Sequence, residues 1–379
     1  MNLKLNEISL TGYKSIGKEQ KIPINDDVTV FIGANGVGKS NIISFFQMLG
    51  YSITGSLQKY VAEHGFANSF LHYGAKQTPS MSAKLIFTGE HSKDEYFFRL
   101  THAAGDVLFY TEESLSILQD NTKNEEPFVI TMDVGRKESQ LVDKTESEEN
   151  HRKIVQFVLY LLKGCQYFQF HDTSSSSEIK RQTYIANNRI LRSDAGNLAA
   201  FLYGIKTQKD GKPYYDRIIR YIRQVFPQFE DFVMLPSIQN DNYINLDWRE
   251  TGNENIFGAH QISDGTLRFM ALATLLLQPT ETLPPIIVLD EPELGLHPTA
   301  IDILAGLIKK ASAHAQIVVA TQSPRLIDEF SANKIVVVER NNKEKTSTFK
   351  KLNDLELKDW LDKYTTSELW DKNVIGGRP

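Results

Sequence analysis

Apolar and polar positions alternate with two different periods along this chain, and the two ends read differently from the middle. Leu3 to Leu10 alternates apolar with polar residues, and Val28–Ile32 is a short apolar run, so both predict strands. Ile42, Ile43, Phe46 and Leu49 recur at helical spacing, which predicts a helix starting near Lys39. Ala83–Thr88 and Tyr96–Leu100 read as a strand pair around the polar turn at His91–Asp94. From about Ser114 to Pro236 the pattern becomes polar and mostly helical, with helical periods at Glu146–Leu162 and Tyr214–Phe226. The charge run Asp143–Lys153 reads as a solvated helix start, Thr173–Ser177 as a flexible loop and Lys209–Pro213 as a turn. Beyond Pro236 the α/β pattern resumes. Strands are expected at Tyr243–Trp248, Pro285–Leu289, Gln316–Thr321 and Lys334–Glu339, and helices at Thr266–Leu277 and Thr299–Lys310. Two α/β pieces around an insertion predict one discontinuous α/β domain: residues 1–113 and 237–379, with 114–236 as an inserted, mainly helical lid region.

Composition narrows the class. The 379 residues are 41% hydrophobic, enough for a real core, and 42 Lys+Arg against 47 Asp+Glu give a net charge of −5. A globally basic binder is excluded, so any contact with nucleic acid must come from a local patch. Cys165 is the only cysteine, which excludes a disulfide framework, a CxxC redox pair and a cysteine-based zinc site. No apolar run approaches the ~18 residues of a membrane span. A cytoplasmic protein, not membrane-bound, is the expectation.

Three segments carry chemistry. Gly33-Ala34-Asn35-Gly36-Val37-Gly38-Lys39-Ser40 is a complete GxxxxGK[ST] phosphate loop, placed between an apolar strand and a helix. Its glycines let successive backbone N–H groups converge on phosphate oxygens, and the helix N-terminus adds a favourable dipole. Lys39 is expected to reach the β- and γ-phosphates of ATP, and the Ser40 hydroxyl to ligate Mg²⁺. The second segment, Ile286-Ile287-Val288-Leu289-Asp290-Glu291-Pro292, delivers two carboxylates at the end of a buried strand. Asp290 would hold Mg²⁺, directly or through water, and Glu291 would orient and deprotonate the attacking water. The third, Ser263-Asp264-Gly265-Thr266, opens a helix only 25 residues before Asp290 as counted from Gly265. Alone, it reads as an ordinary serine N-cap.

The order of these segments resembles the RecF/SMC/OLD-like branch of ABC-type ATPases, particularly its compact stand-alone members. The resemblance rests on Gly12-Tyr13-Lys14-Ser15, the GANGVGKSN loop through Asn41, Ser263–Arg268, Leu289–Pro298 and Ala320–Pro324, together with the tail Glu368–Pro379. It implies an ABC-type P-loop ATPase head in which Gly33, Asn35, Gly36, Gly38, Lys39, Ser40 and Asn41 bind nucleotide. It further implies that Ser263 and Gly265 meet the γ-phosphate held by a second subunit, in a homodimer that sandwiches ATP. Such ATPases often work beside a separately encoded nuclease or toxin-like effector in defence against phage, and hydrolysis would change the grip on DNA or on such a partner protein. Where many relatives carry a switch histidine, this chain has Gln322, which can donate a hydrogen bond but cannot gain charge. His297 is read mainly as structural, and Gln77 is the candidate for the lid-coupling glutamine.

Two basic clusters offer a place for a polyanion: Arg217, Arg220 and Arg223 on one predicted helix face, and Lys180, Arg181, Arg189 and Arg192. No heptad pattern is sustained over three repeats between Ser40 and Ser263, so SMC-type arms are not expected. Two other readings compete with an ATP-hydrolysing switch. One is a scaffold that ATP closes, with incidental turnover. The other is the nucleotide-binding subunit of a transporter, against which the SDGT sequence and the missing switch histidine argue.

Overall fold

The computed structural model describes residues 3–90, 92–119, 127–145, 152–237 and 239–378. The chain divides into two compact units. The first comprises Met1–Gln166, Val318–Gln322 and Phe330–Pro379, and the second Tyr167–Ile317 and Ser323–Glu329.

The first unit contains two sheets. The Val28–Ile32 strand is buried along its whole length, as a strand covered on both faces must be. It pairs in parallel with Ile335–Asn341, with Val336 opposite Phe31 and Val337 opposite Ile32. On its other side runs Gln316–Ala320, and Thr321 N–H donates to the Phe31 carbonyl at 3.0 Å. Thr346–Lys351 closes the far edge in antiparallel register. The second sheet is antiparallel throughout, in the order Gln20–Pro23, Lys4–Thr11, Ser80–Thr88, Ser92–Ala103, Val107–Gln119, Phe128–Thr131. Its strands alternate cleanly: Met81, Ala83, Leu85 and Phe87 point into the core while their neighbours are partly exposed. The Lys39–Ile53 helix lays its apolar stripe on this sheet. Phe45 meets Tyr13 edge-on at 5.7 Å and stacks on Phe98 at 6.5 Å between ring centroids.

The second unit is built around the Asp264–Leu277 helix, buried almost continuously from Leu267 to Leu277. The amphipathic Lys212–Val225 helix, with Ile218 and Ile222 buried, packs against it, and the Pro298–Ala311 helix packs on it too. Ile286–Asp290 is the buried strand foreseen from its four apolar residues. Two three-stranded sheets complete the unit. One joins Phe229–Val233, Asp247–Glu250 and Ile256–Phe257; the other joins Pro236–Ser237, Asn240–Ile244 and Thr183–Tyr184.

The structure departs from the hydrophobic pattern at a few places. The chain does not turn helical at Ser114: the Val107–Gln119 strand runs through it, with Leu115 and Ile117 buried, and Phe128–Thr131 pairs beside it. The helix expected from Glu146 spans Arg152–Lys163, and residues 146–151 lie outside the described residues. Tyr243–Trp248 is two strands in two different sheets, broken at Asn245 and Leu246. Thr173–Ser177 is a hydrogen-bonded turn: Asp172 accepts from Ser174 N–H at 3.0 Å, and the Ser177 hydroxyl donates to the Ser174 carbonyl at 2.7 Å.

Candidate functional site

The phosphate loop lies in the first unit, between the Val28–Ile32 strand and the Lys39–Ile53 helix. Two of its glycines are there for different reasons. A Cβ on Gly33 would come within 2.3 Å of the Val338 carbonyl oxygen, so the neighbouring strand leaves room only for hydrogen. Gly36, at φ +78, faces open space, and there the left-handed backbone is the constraint. No side chain caps the helix that follows and no acidic residue occupies its first turn, so its N-terminus remains a seat for an anion. Lys39 folds back over this seat, donating to the carbonyls of Gly33 at 2.6 Å and Ala34 at 2.9 Å. Asn35, Gly36 and Ser40 are exposed on the loop. This donor set of uncapped amides, an ammonium and an accessible hydroxyl suits a nucleotide polyphosphate with a hard cation.

The loop is braced by residues that its own pattern does not reveal. Gly38, at φ +117, leaves space filled by the hydroxyls of Ser347 and Ser15. Ser347 Oγ donates to Ser15 Oγ at 2.7 Å, and Asn41 donates its amide to Ser15 Oγ at 2.6 Å. Ser15 thus explains why Gly12-Tyr13-Lys14-Ser15 accompanies the loop. Lys14, left-handed at φ 45, lies over the Phe70 ring and donates to the Ser44 hydroxyl at 2.9 Å. Burial pushes its ammonium down to about 8. Gln322, also in this unit, is half-buried directly after Thr321, whose N–H meets the strand that leads into the loop.

The second unit holds Ser263, Gly265, Asp290 and Glu291. Ser263 is exposed and caps the Asp264–Leu277 helix, its Oγ accepting from Thr266 N–H at 3.2 Å. A Cβ on Gly265 would meet the Gly295 carbonyl oxygen at 2.3 Å, so the start of this helix lies directly on the loop that follows the two carboxylates. Arg268 fastens the same contact, donating to the carbonyls of Leu294 and His171, each at 2.9 Å. Glu291 is left-handed at φ 42, which turns the chain sharply at the strand end. His297 caps the Pro298–Ala311 helix by accepting from Thr299 N–H through Nδ1, the structural role expected of it.

His171 escaped the sequence analysis. Its Nε2 lies 3.0 Å from the Asp290 carbonyl, and no motif in the chain around it marks it. The basic clusters are largely engaged. Lys180 pairs with Asp264, Arg181 with Glu178 and Arg192 with Asp194, Arg223 donates to the Glu230 carbonyl, and Arg217 lies over the Tyr214 ring. Gln77 sits exposed in a turn, its N–H donating to the Gly74 carbonyl. Among the described residues no helix is long and apolar enough to cross a membrane.

The fold is a mixed α/β fold resembling the SMC head of ABC-type ATPases, as solved structures show. An SMC head bound to the C-terminal winged-helix domain of ScpA is similar over 94% of this chain and 99% of that one, with a TM-score of 0.56 at 17% identity. The SMC head with an extended coiled coil bound to the C-terminal domain of ScpA, from Pyrococcus furiosus, gives 95%, 99%, 0.53 and 16%. No curated protein matches significantly. The chain itself belongs to the family described as "AAA domain, putative AbiEii toxin, Type IV TA system", which matches residues 28–328. It thus carries an AAA-type domain, on a fold similar to that of SMC heads.

Proposed function

We propose that this protein is an ATP-hydrolysing switch that works as a nucleotide-sandwich homodimer. Lys39 and the amides of residues 33–41 would grip the phosphates of ATP, and Ser40 and Asp290 would hold Mg²⁺, which would screen the phosphate charge. Glu291 acts as general base toward water, and Gln322 senses the γ-phosphate end by hydrogen bonding. The observation that carries the reading is the turn Ser263–Gly265. Its serine is exposed, and its glycine is pressed against Gly295 in the loop after Asp290 and Glu291. A signature turn built as one block with the carboxylate loop, yet open outward, suits a ligand supplied by a second subunit. The family description, with its AbiEii toxin and type IV toxin–antitoxin system, supports a partner in the form of a separately encoded toxin-like or nuclease effector, in defence against phage. DNA is the other candidate partner.

The experiment is a mixing titration. Ser263→Arg blocks the outward face by bulk and charge, and Lys39→Ala empties the phosphate loop. Each variant alone should be inactive, and mixtures should recover ATPase activity through one intact composite site per heterodimer. A Ser263→Arg protein that is fully active alone and monomeric with Mg·ATP ends the sandwich reading.

A further inference from the structure

The signature turn carries an electrostatic problem that its neighbours solve. Asp264 stands between Ser263 and Gly265, in the first turn of a 14-residue helix. A carboxylate there is favoured by the helix dipole, but it occupies the same positive end that an incoming phosphate would use. Two anions at one helix terminus repel unless one of them is neutralised. The neutralising group comes from 84 residues away. Lys180 ends a short 3₁₀ turn, Glu178–Lys180, that packs on the 3₁₀ turn Ala259–Gln261 just before the signature. Its side chain is only 9% exposed, whereas that of Asp264 is 62% exposed. The ammonium donates to the Thr173 carbonyl at 2.5 Å and to Asp264 Oδ1 at 3.3 Å. A buried ammonium must find such acceptors, so its position is fixed. The segment bearing it is tied down a second time where Arg268 grips the His171 carbonyl.

We propose that Lys180 is a positioning residue for the composite ATP site: it holds and neutralises Asp264, so that the Ser263–Gly265 turn receives the γ-phosphate of the partner-bound nucleotide. This rests on the sandwich reading and adds to it a residue from the inserted region, assigned until now to a generic basic patch. The role is exerted through Asp264, which separates it from a direct phosphate contact.

The test is the ATP-driven dimerisation constant, measured by sedimentation with Mg·ATP in a Glu291→Gln parent that retains nucleotide. Lys180→Met keeps the length and apolar stem of the side chain while removing its charge. It should weaken dimerisation about tenfold or more, and less so at high salt, where exposed charges are screened. Asp264→Asn alone should dimerise as well as the parent or better. The double variant Lys180→Met/Asp264→Asn should return to within about threefold of the parent, because the uncompensated carboxylate is gone. A Lys180→Met dimer as tight as the parent overturns the inference. So does a defect that Asp264→Asn leaves unrelieved, since Lys180 would then serve only to anchor the Thr173 turn or would touch phosphate itself. A Glu291→Gln parent that stays monomeric at every ATP concentration overturns the sandwich reading, and this inference with it.

Discussion

His171 donates its Nε2–H to the carbonyl of Asp290 at 3.0 Å, with the carbonyl of Glu291 at 3.4 Å from the same nitrogen. Gln169 supplies an amide hydrogen to Nδ1 at 3.1 Å, which fixes the ring in the tautomer that carries its proton on Nε2. One imidazole therefore clasps the backbone of both carboxylate residues at the point where Glu291 adopts its left-handed conformation. A backbone held at φ 42 costs on the order of 1–3 kcal/mol and persists only where neighbours impose it. His171 is such a neighbour, and Arg268, bonded to the His171 carbonyl, joins it to the signature helix.

His171→Ala should accordingly cost about 1 kcal/mol of stability, the loss of a partner for half-buried carbonyls. It should also lower kcat about tenfold while KM for ATP stays within about threefold, because the phosphate loop is untouched. Denaturant unfolding and steady-state ATPase assays read both. An unaltered kcat would mean that the turn holds its shape unaided.

Lys39→Ala should weaken ATP binding by about 100-fold or more, since charge-assisted hydrogen bonds contribute roughly 1.5–3 kcal/mol each. In the structure the ammonium bonds the Gly33 and Ala34 carbonyls, so the variant should also lose about 1–2 kcal/mol of stability, and its folding is verified by denaturant unfolding before binding is measured. Equilibrium binding of a fluorescent ATP analogue decides the matter, and near-native affinity would sink the phosphate-loop assignment.

Glu291→Gln should bind ATP as tightly as the wild type and lose about 10²–10⁴-fold in turnover, the usual range for removing a general base. Single-turnover hydrolysis is the measurement. Wild-type speed would move the role to another group, with Glu293 the first to examine.

What the sequence disclosed follows from how local the cause is. The mostly apolar Val28–Ile32 and Ile286–Asp290 strands and the 3.6-residue stripe after Lys39 are written in adjacent residues, and the phosphate loop and the two carboxylates stand on their ends. Illegible parts depend on distant contacts. Ser114 and Ser116 disguise a strand whose other face, Leu115 and Ile117, is buried. Thr346–Lys351 has no apolar alternation, and Ser347 is buried because its hydroxyl braces Ser15 and Gly38 from more than 300 residues away. Lys180 counted as one of four clustered cations, and only the fold reveals that it belongs to Asp264. His171 carries no pattern at all.

Asp94 is buried in the antiparallel sheet of the first unit, where one carboxylate oxygen accepts from the Ser92 hydroxyl at 3.1 Å and the other, Oδ1, is buried without a hydrogen-bond partner. Burial raises its carboxyl from an ordinary 3.8 to about 6, with the Ser92 bond opposing the shift. The sign follows from proton linkage. Between pH 3.8 and about 6 the folded state holds this proton more tightly than the unfolded chain, so its contribution to stability is full below that window and is lost as pH rises through it. Asp94→Asn removes the titration. Relative to wild type, the variant should gain about 1–2 kcal/mol between pH 4 and pH 8, the two-unit shift reduced for partial solvent screening. Comparing differences across pH removes any fixed cost of seating an amide at this position. Urea unfolding of both proteins at pH 4, 5, 6, 7 and 8 traces the gap, and parallel curves over that range would show that Asp94 titrates normally in the fold.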